Sequence, residues 1–309
     1  MSELKPRRAR SIPEFLEFSQ KIFVPEPDAP QHAPFIPQSD DIIITPYSKC
    51  GTTWLQQIFH TLRTGGDMDF DDISRVVPWI ELAPLQGIDL NAPQRASPRG
   101  YKSHLPRDLV PAGAQYVVAL RDPKDAFVSM YHFIVGWYIE PGTVSMEQFY
   151  ELWDNGTFGG GSTYWHHLLS WLEERDASDV LLLSYAGMTR DPMSNIQRFS
   201  AFCGFPLDDA LLNIALDHSS LDFMKRHHDR FDDLLMRRLG ERRVNLPPGG
   251  GAKVRKGLVG DHRGQLPAAV AAAIDARWAE KIAPFTGFAS FSELDAALCR
   301  DLSGRDGRR

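Results

Sequence analysis

Three short apolar runs punctuate this chain, at residues 42–45, 115–120 and 180–184. Each is too short for a buried helix and gives way at once to a polar or proline-marked turn. Each therefore predicts a buried strand of the kind found in parallel sheets. A shorter extended stretch at 100–106 is limited by Pro106. Between the runs, apolar positions recur at helical spacing. Residues 53–62 place Trp54, Leu55, Ile58, Phe59 and Leu62 on one side of a helix. Asp122 and Pro123 open another as N-cap and first helical residue, running to about residue 135. Further helices are predicted over 145–153, 162–175, 192–204, 208–218, from Ser219 onward, and over 266–285. Alternating strands and helices predict an α/β fold, one domain with a central, mainly parallel sheet flanked by helices. That domain is expected to span 1–309. Residues 1–40 read as an irregular proline-rich arm with one short helix near 12–22, and 303–309 as a frayed, flexible tail.

The turn after the first strand brings in chemistry. D-I-I-I-T-P-Y-S-K-C-G-T-T-W, residues 41–54, reads as strand, loop and helix, and the loop holds Lys49, Gly51, Thr52 and Thr53. Backbone N–H groups at a helix start, with a lysine nearby, suit a phosphate-like anion. Lys49 precedes Gly51, so the loop is P-loop-like without being the Walker pattern, and it does not point to ATP or GTP. Lys102 and His104 lie on one side of an extended segment and read as exposed together at a strand end. Arg121 stands where the second long strand meets a helix, the edge at which open α/β sheets bind ligands. Arg255, Lys256 and Gly257 offer two cations and an unhindered backbone N–H, just after a glycine-rich loop at 247–251 that is expected to be mobile, as is 159–161. Residues 76–82 form an apolar patch with one carboxylate, Glu81, readable equally as a core loop or a pocket wall. The adjacent pairs His166-His167 and His227-His228 face different ways on a helix and read as surface residues.

Composition narrows the function classes. The chain has 309 residues, 43% hydrophobic and 24% charged, as in ordinary globular proteins. A net charge of −6 argues against a general nucleic-acid binder. Three widely spaced cysteines give no disulfide framework and fit a reducing cytoplasm. No apolar run approaches the roughly 18 residues of a membrane span. The basic N-terminal residues lack the apolar stretch of a secretory signal. No Cys/His spacing suggests a metal.

The order of the motifs is more telling than any one of them. T-P-Y-S-K-C-G-T-T-W is followed by Y-K-S-H-L-P, then by V-V-A-L-R-D-P-K-D-A-F-V-S-M-Y-H-F, and near the end by R-K-G-L-V-G-D-H. From about residue 41 to 282 this resembles the cytosolic-type sulfotransferases that use 3′-phosphoadenosine-5′-phosphosulfate (PAPS) and release 3′-phosphoadenosine-5′-phosphate (PAP). The resemblance implies that Lys49, Cys50, Gly51, Thr52 and Thr53 cradle the 5′-phosphosulfate. It implies that Trp54 stacks on adenine, with Tyr185 and Ser219, Ser220, Leu221 and Met224 lining the nucleotide. Arg121, Ser129, Arg255, Lys256 and Gly257 would hold the 3′-phosphate. His104 would be the general base of an in-line displacement, with Lys102 and Lys49 neutralising sulfonate and leaving-oxygen charge; no metal is required.

Some positions depart from the family pattern. Ser48 and Cys50 stand where proline and serine are usual, Leu221 where an aromatic is frequent, and His262 where a tryptophan is usual. The dimer motif of animal members is missing, so that dimer does not carry over. The alanine- and arginine-rich composition suggests a bacterial member. The acceptor pocket is expected from loops near 79–85, 133–139 and 247–251, with Trp79, Phe133, Trp137 and Tyr138. Those residues suggest a largely apolar small molecule or lipid with a hydroxyl or an amine. Two other classes compete: a nucleotide-dependent phosphotransferase, for which acidic Mg²⁺ ligands are missing, and a non-catalytic nucleotide-binding protein of the same fold, which would need no base.

Overall fold

Among the described residues four parallel strands form the sheet: β1 (Ile42–Ile44), β2 (Gly100–Lys102), β3 (Gln115–Leu120) and β4 (Val180–Ser184), in the order β2-β1-β3-β4. The coordinates are a computed structural model that describes residues 5–25, 32–158, 161–249 and 253–305. Gly159 and Gly160, Gly250 and Gly251, and the end of the predicted tail, 306–309, lie outside the described residues.

Both faces of the sheet are buried, which explains the unbroken apolar runs. Alternate residues feed two cores. Ile43, Tyr101, Tyr116 and Val118 point into one, and Ile42, Ile44, Val117 and Ala119 into the other. The Thr52–Thr64 helix packs on the second face through Leu55, Ile58, Phe59 and Leu62. It lies so close that a Cβ on Gly100 would sit 2.0 Å from Phe59 Cε1. Gly100→Ala is expected to cost about 1–3 kcal/mol through overpacking. Urea unfolding measures this, and a variant as stable as wild type would contradict the contact.

Side-chain caps hold several helices, the predicted cap Asp122 among them. Asp122 accepts from Lys124 N at the start of Pro123–Trp137, and Ser145 forms a capping box with Gln148 ahead of Met146–Asp154. Asp191, Asp208 and Ser220 cap three more. The short helix expected near 12–22 is present as Ile12–Ile22, capped by Ser11, and its buried Phe15, Phe18 and Ile22 make it part of the core and not an irregular arm. It is joined to the Leu234–Val244 helix, where Arg243 donates to the Ile22 carbonyl at 2.6 Å. The last helix, Phe291–Arg305, runs into the predicted tail. Of the histidines read as surface residues, His167 is buried, and its Nε2 meets the Thr45 carbonyl at 3.0 Å. Adjacency showed that the pair must diverge but not which member turned inward.

The chain leaves β1 for β2 on one side and returns to β3 on the other. The gap beyond the C-terminal ends of β1 and β3 is therefore a topological switch point, flanked by the Lys49 loop and by Arg121.

Candidate active site

The loop after β1 is a strained turn feeding a bare helix start. Lys49 has φ 67°, a left-handed conformation rarely adopted outside glycine, and Gly51 follows at φ 99°. Two contacts hold the turn: Cys50 N donates to the Tyr47 carbonyl at 3.0 Å, and Arg121 Nη1 donates to the Lys49 carbonyl at 2.8 Å. Gly51 also permits close approach, since a Cβ there would meet the Tyr185 ring at 3.0 Å. The Thr52–Thr64 helix has no side-chain cap, so its first N–H groups present partial positive charge to the cavity. Thr52 Oγ1 and Arg121 Nε are buried and have no hydrogen-bond partner. Ser48 ties the loop down by donating to the Phe158 carbonyl at 2.9 Å.

Lys102 ends β2, and His104 lies two residues beyond it. They are not exposed at a strand end: Lys102 is 1% and His104 8% exposed. Lys102 Nζ sits 3.6 Å above the Trp79 ring, and Lys49 Nζ 4.2 Å from the Phe133 ring. Burial pulls both lysines down to about 7, offset in part by Asp233. Burial, then the Lys102 charge, holds His104 well below the usual histidine range. His104 Nδ1 lies 2.8 Å from the Pro46 carbonyl. A carbonyl only accepts, so Nδ1 carries the hydrogen and the neutral ring keeps its lone pair on Nε2. The Glu81 carboxylate accepts from His104 N at 2.7 Å, fixing the backbone beneath the ring.

Arg121 joins the Lys49 loop to the segment that follows Arg255. Besides Lys49 it donates through Nη2 to the Leu258 carbonyl at 3.3 Å and lies over the Tyr185 ring. Arg255 and Lys256 are both held by Asp261, Lys256 at 3.0 Å. Asp125 in turn organises that loop, accepting from Gly260 N at 2.7 Å and from His262 N at 3.0 Å, with His262 Nδ1 at 2.7 Å. His262 thus replaces the usual tryptophan with a polar anchor.

A single cavity of about 770 Å³ unites these groups. It is lined by Lys49, Gly51, Thr52, Thr53, Trp54, Lys102, His104, Arg121, Ser129 and Tyr185. Ser219, Ser220, Leu221, Met224, Arg255, Lys256 and Gly257 complete the predicted set. Trp79, Phe133 and Tyr138 also line it. Two predicted residues do not. Cys50 is buried in the core, with its N–H already used in the turn, so it offers the anion nothing. Trp137 packs behind Phe133 and Tyr138 and under Arg237, because its position on the helix turns it inward. The described part of the 247–251 loop is not a wall either; the Ile12–Ile22 helix is, through Phe15, Ser19 and Phe23. Glu81, Asp233, Lys253 and Met236 line the cavity without having been singled out as site residues. Glu81 had a signal, as the one carboxylate in an apolar patch; Asp233 and Lys253 had none.

Comparison with known proteins settles the family. A model described as the sulfotransferase domain matches residues 39–286. The chain belongs to the sulfotransferase family. The 3-alpha-hydroxysteroid sulfotransferase of Cavia porcellus is 30% identical over 281 residues, 88% of this chain and 94% of that protein. Sulfotransferase 2A1 of Macaca fascicularis is 30% identical over 256 residues, 80% and 86% of the two chains. In structure, the chain is similar to retinol dehydratase in complex with androsterone and the inactive cofactor PAP (TM-score 0.67, 18% identity, 89% and 96% covered). It is also similar to a mouse sulfotransferase complexed with PAP (TM-score 0.60, 23% identity, 80% and 86% covered). At those identities the likeness speaks to the α/β fold.

As a member of this family the enzyme is a PAPS-dependent sulfotransferase, and its cavity suits that donor. The unpartnered Thr52 Oγ1 and Arg121 Nε, the bare helix start and the two cationic ends are what a doubly anionic nucleotide needs. An anion beside Lys49 and Lys102 would raise their pKa values from about 7 toward ordinary lysine values. PAP binding at about pH 8 is therefore expected to take up protons. Calorimetry in buffers of different ionisation enthalpy reads this directly, and release of protons would contradict it.

None of the helices among the described residues is long and apolar enough to cross a membrane.

Proposed function

We propose that this sulfotransferase moves the sulfonate of PAPS onto a hydroxyl of a largely apolar small molecule or lipid, with His104 as general base. The observation that carries the proposal is the cavity itself. This chamber, which holds His104, is also walled by the apolar Phe15, Phe23, Phe133, Tyr138, Phe158 and Met236. Apolar walls with few polar groups select an acceptor by shape and burial.

The roles follow from position. Lys49, Gly51, Thr52 and Thr53 bind the 5′ end of the donor. Trp54 and Tyr185, whose rings meet edge to face at 5.6 Å, bound the adenine with Ser219, Ser220, Leu221 and Met224. Arg121, Ser129, Arg255, Lys256 and Gly257 take the 3′-phosphate. His104 Nε2 accepts the acceptor's proton as its oxygen turns nucleophilic. Lys102 steadies the sulfonate oxygens, and Lys49 the oxygen left on the phosphate. The low pKa of His104 suits a base that must be neutral before reaction.

The proposal treats 1–309 as one sulfotransferase domain, since the Ile12–Ile22 helix helps wall the chamber. It also places the enzyme in the cytoplasm, where free Cys50, Cys203 and Cys299 suit a reducing compartment. The named action of the guinea-pig relative on hydroxysteroids fits such a chamber.

The test is transfer of label from [³⁵S]PAPS to 2-naphthol, a 3-hydroxysteroid and a long-chain alcohol, each beside its matched amine. Labelling of apolar hydroxyl compounds, with small polar alcohols left bare, is the expected outcome. Labelling confined to polar or charged acceptors, or none at all, would defeat the proposal.

A further inference from the structure

Asp233 and Lys253 lie in none of the shared motifs, yet both line the transfer end of the cavity. Asp233 precedes the Leu234–Val244 helix in a left-handed conformation, φ 47° and ψ 53°, and its carboxylate does not cap that helix. Asp72 performs a capping contact in its place, its Oδ2 accepting from Leu235 N at 3.1 Å. The Asp233 carboxylate turns inward instead. Its oxygens accept from Lys253 Nζ at 2.6 and 2.7 Å, and Oδ1 lies 3.9 Å from Lys102 Nζ. The side chain is only 6% exposed. A carboxylate so enclosed is held by its cations.

We propose that Asp233 is a positioning residue for sulfonate transfer, anchoring the Lys102 and Lys253 ammonium groups side by side at the reacting end of the cavity. This rests on the transferase reading above. Lys102 is held between the Trp79 ring on one side and the Asp233 carboxylate on another. The charged groups that bear on it are Asp233, Lys253, Asp72 and Glu81, with Lys49 and His104 as further neighbours. Burial works to discharge Lys102; Asp233 opposes this more than any other group, and Lys253 reinforces it. Burial also opposes the charge of Asp233 itself, but Lys102 and Lys253 outweigh it and hold the carboxyl well below the usual range. Asp233 thus favours the charged form of Lys102 where sulfonate oxygens need it and offsets the repulsion between Lys102 and Lys253.

The two neighbours predict opposite effects. With lysine Cε labelled by ¹³C in the full chain, and the Lys102 signal assigned by its loss in Lys102→Met, wild type should titrate at about 7. Asp233→Asn should lower that midpoint by about one pH unit or more. Lys253→Met should raise it. With 2-naphthol and PAPS, the alkaline limb of kcat should move the same way in each variant, and Asp233→Glu should recover part of the loss. A purely structural role would lower the melting temperature without separating the midpoints in opposite directions. Unmoved midpoints, midpoints moving together, or an alkaline limb common to all variants would overturn the proposal. If Asp233→Asn does not fold, Lys253→Met decides alone: an upward move supports the proposal and no move overturns it. A wild type that labels no acceptor would instead sink the transferase reading, and the titration would still decide whether Asp233 holds Lys102 charged.

Discussion

His104→Ala is expected to cut turnover by about 10²–10⁴-fold, the usual worth of a positioned general base. PAP affinity should stay within about threefold of wild type, because the neutral ring carries no charge for the nucleotide and the Lys49 turn keeps its own contacts through Cys50 N and Arg121. The physical case is specific. The carbonyl fixes the hydrogen on Nδ1, and burial and Lys102 keep the ring neutral. The base is thus ready from mildly acidic pH upward. The acidic limb of kcat should accordingly lie below the ordinary histidine value, since His104 stays neutral until the pH falls through its lowered pKa. Stopped assays with saturating PAPS measure both effects. A variant within a few-fold of wild type, or an acidic limb at the ordinary histidine value, would remove His104 from the chemistry.

Replacing both Arg255 and Lys256 by alanine should weaken PAP binding by about 10²-fold or more, from the loss of two charge-assisted contacts worth about 1.5–3 kcal/mol each. Binding of 5′-AMP should change little. The reason is the proposed division of labour in the cavity: the Lys49 loop and helix start would serve the 5′ end, whereas Arg255 and Lys256 sit together on Asp261. That carboxylate holds the cations in place for a phosphate; burial opposes its charge, and Lys256 and Arg255 outweigh this to lower its pKa. Isothermal titration with PAP and 5′-AMP on both proteins is the measurement. Equal losses for the two nucleotides would show that the pair does not read the 3′-phosphate.

Much of the site was legible because it is built from local geometry. A strand, a lysine and a glycine before a helix place an anion site within a dozen positions of chain, and a strand ending in Arg121 places a cation at the sheet's ligand edge. Helix starts were legible for the same reason, since Asp122, Ser145, Asp191, Asp208 and Ser220 act on N–H groups two or three residues away. Faces were harder. Trp137 and Tyr138 are neighbours in sequence and only the second lines the cavity, and His167 and His166 divide between core and surface. Periodicity says that adjacent residues diverge; the sheet and the neighbouring helices decide which one is enclosed.

Read alone, the sequence specified an α/β fold with an anion-binding turn at the end of β1, because strand, cap and loop chemistry act over a few residues. Its likeness to the sulfotransferases came from the order of four motifs. The tertiary structure decided the surroundings of Lys102 and His104. It brought the Ile12–Ile22 helix across the chamber, buried Lys102 against Trp79, and set Asp233 and Lys253 beside it from segments more than a hundred positions away. Such contacts depend on how whole elements pack, and no local pattern of residues encodes them.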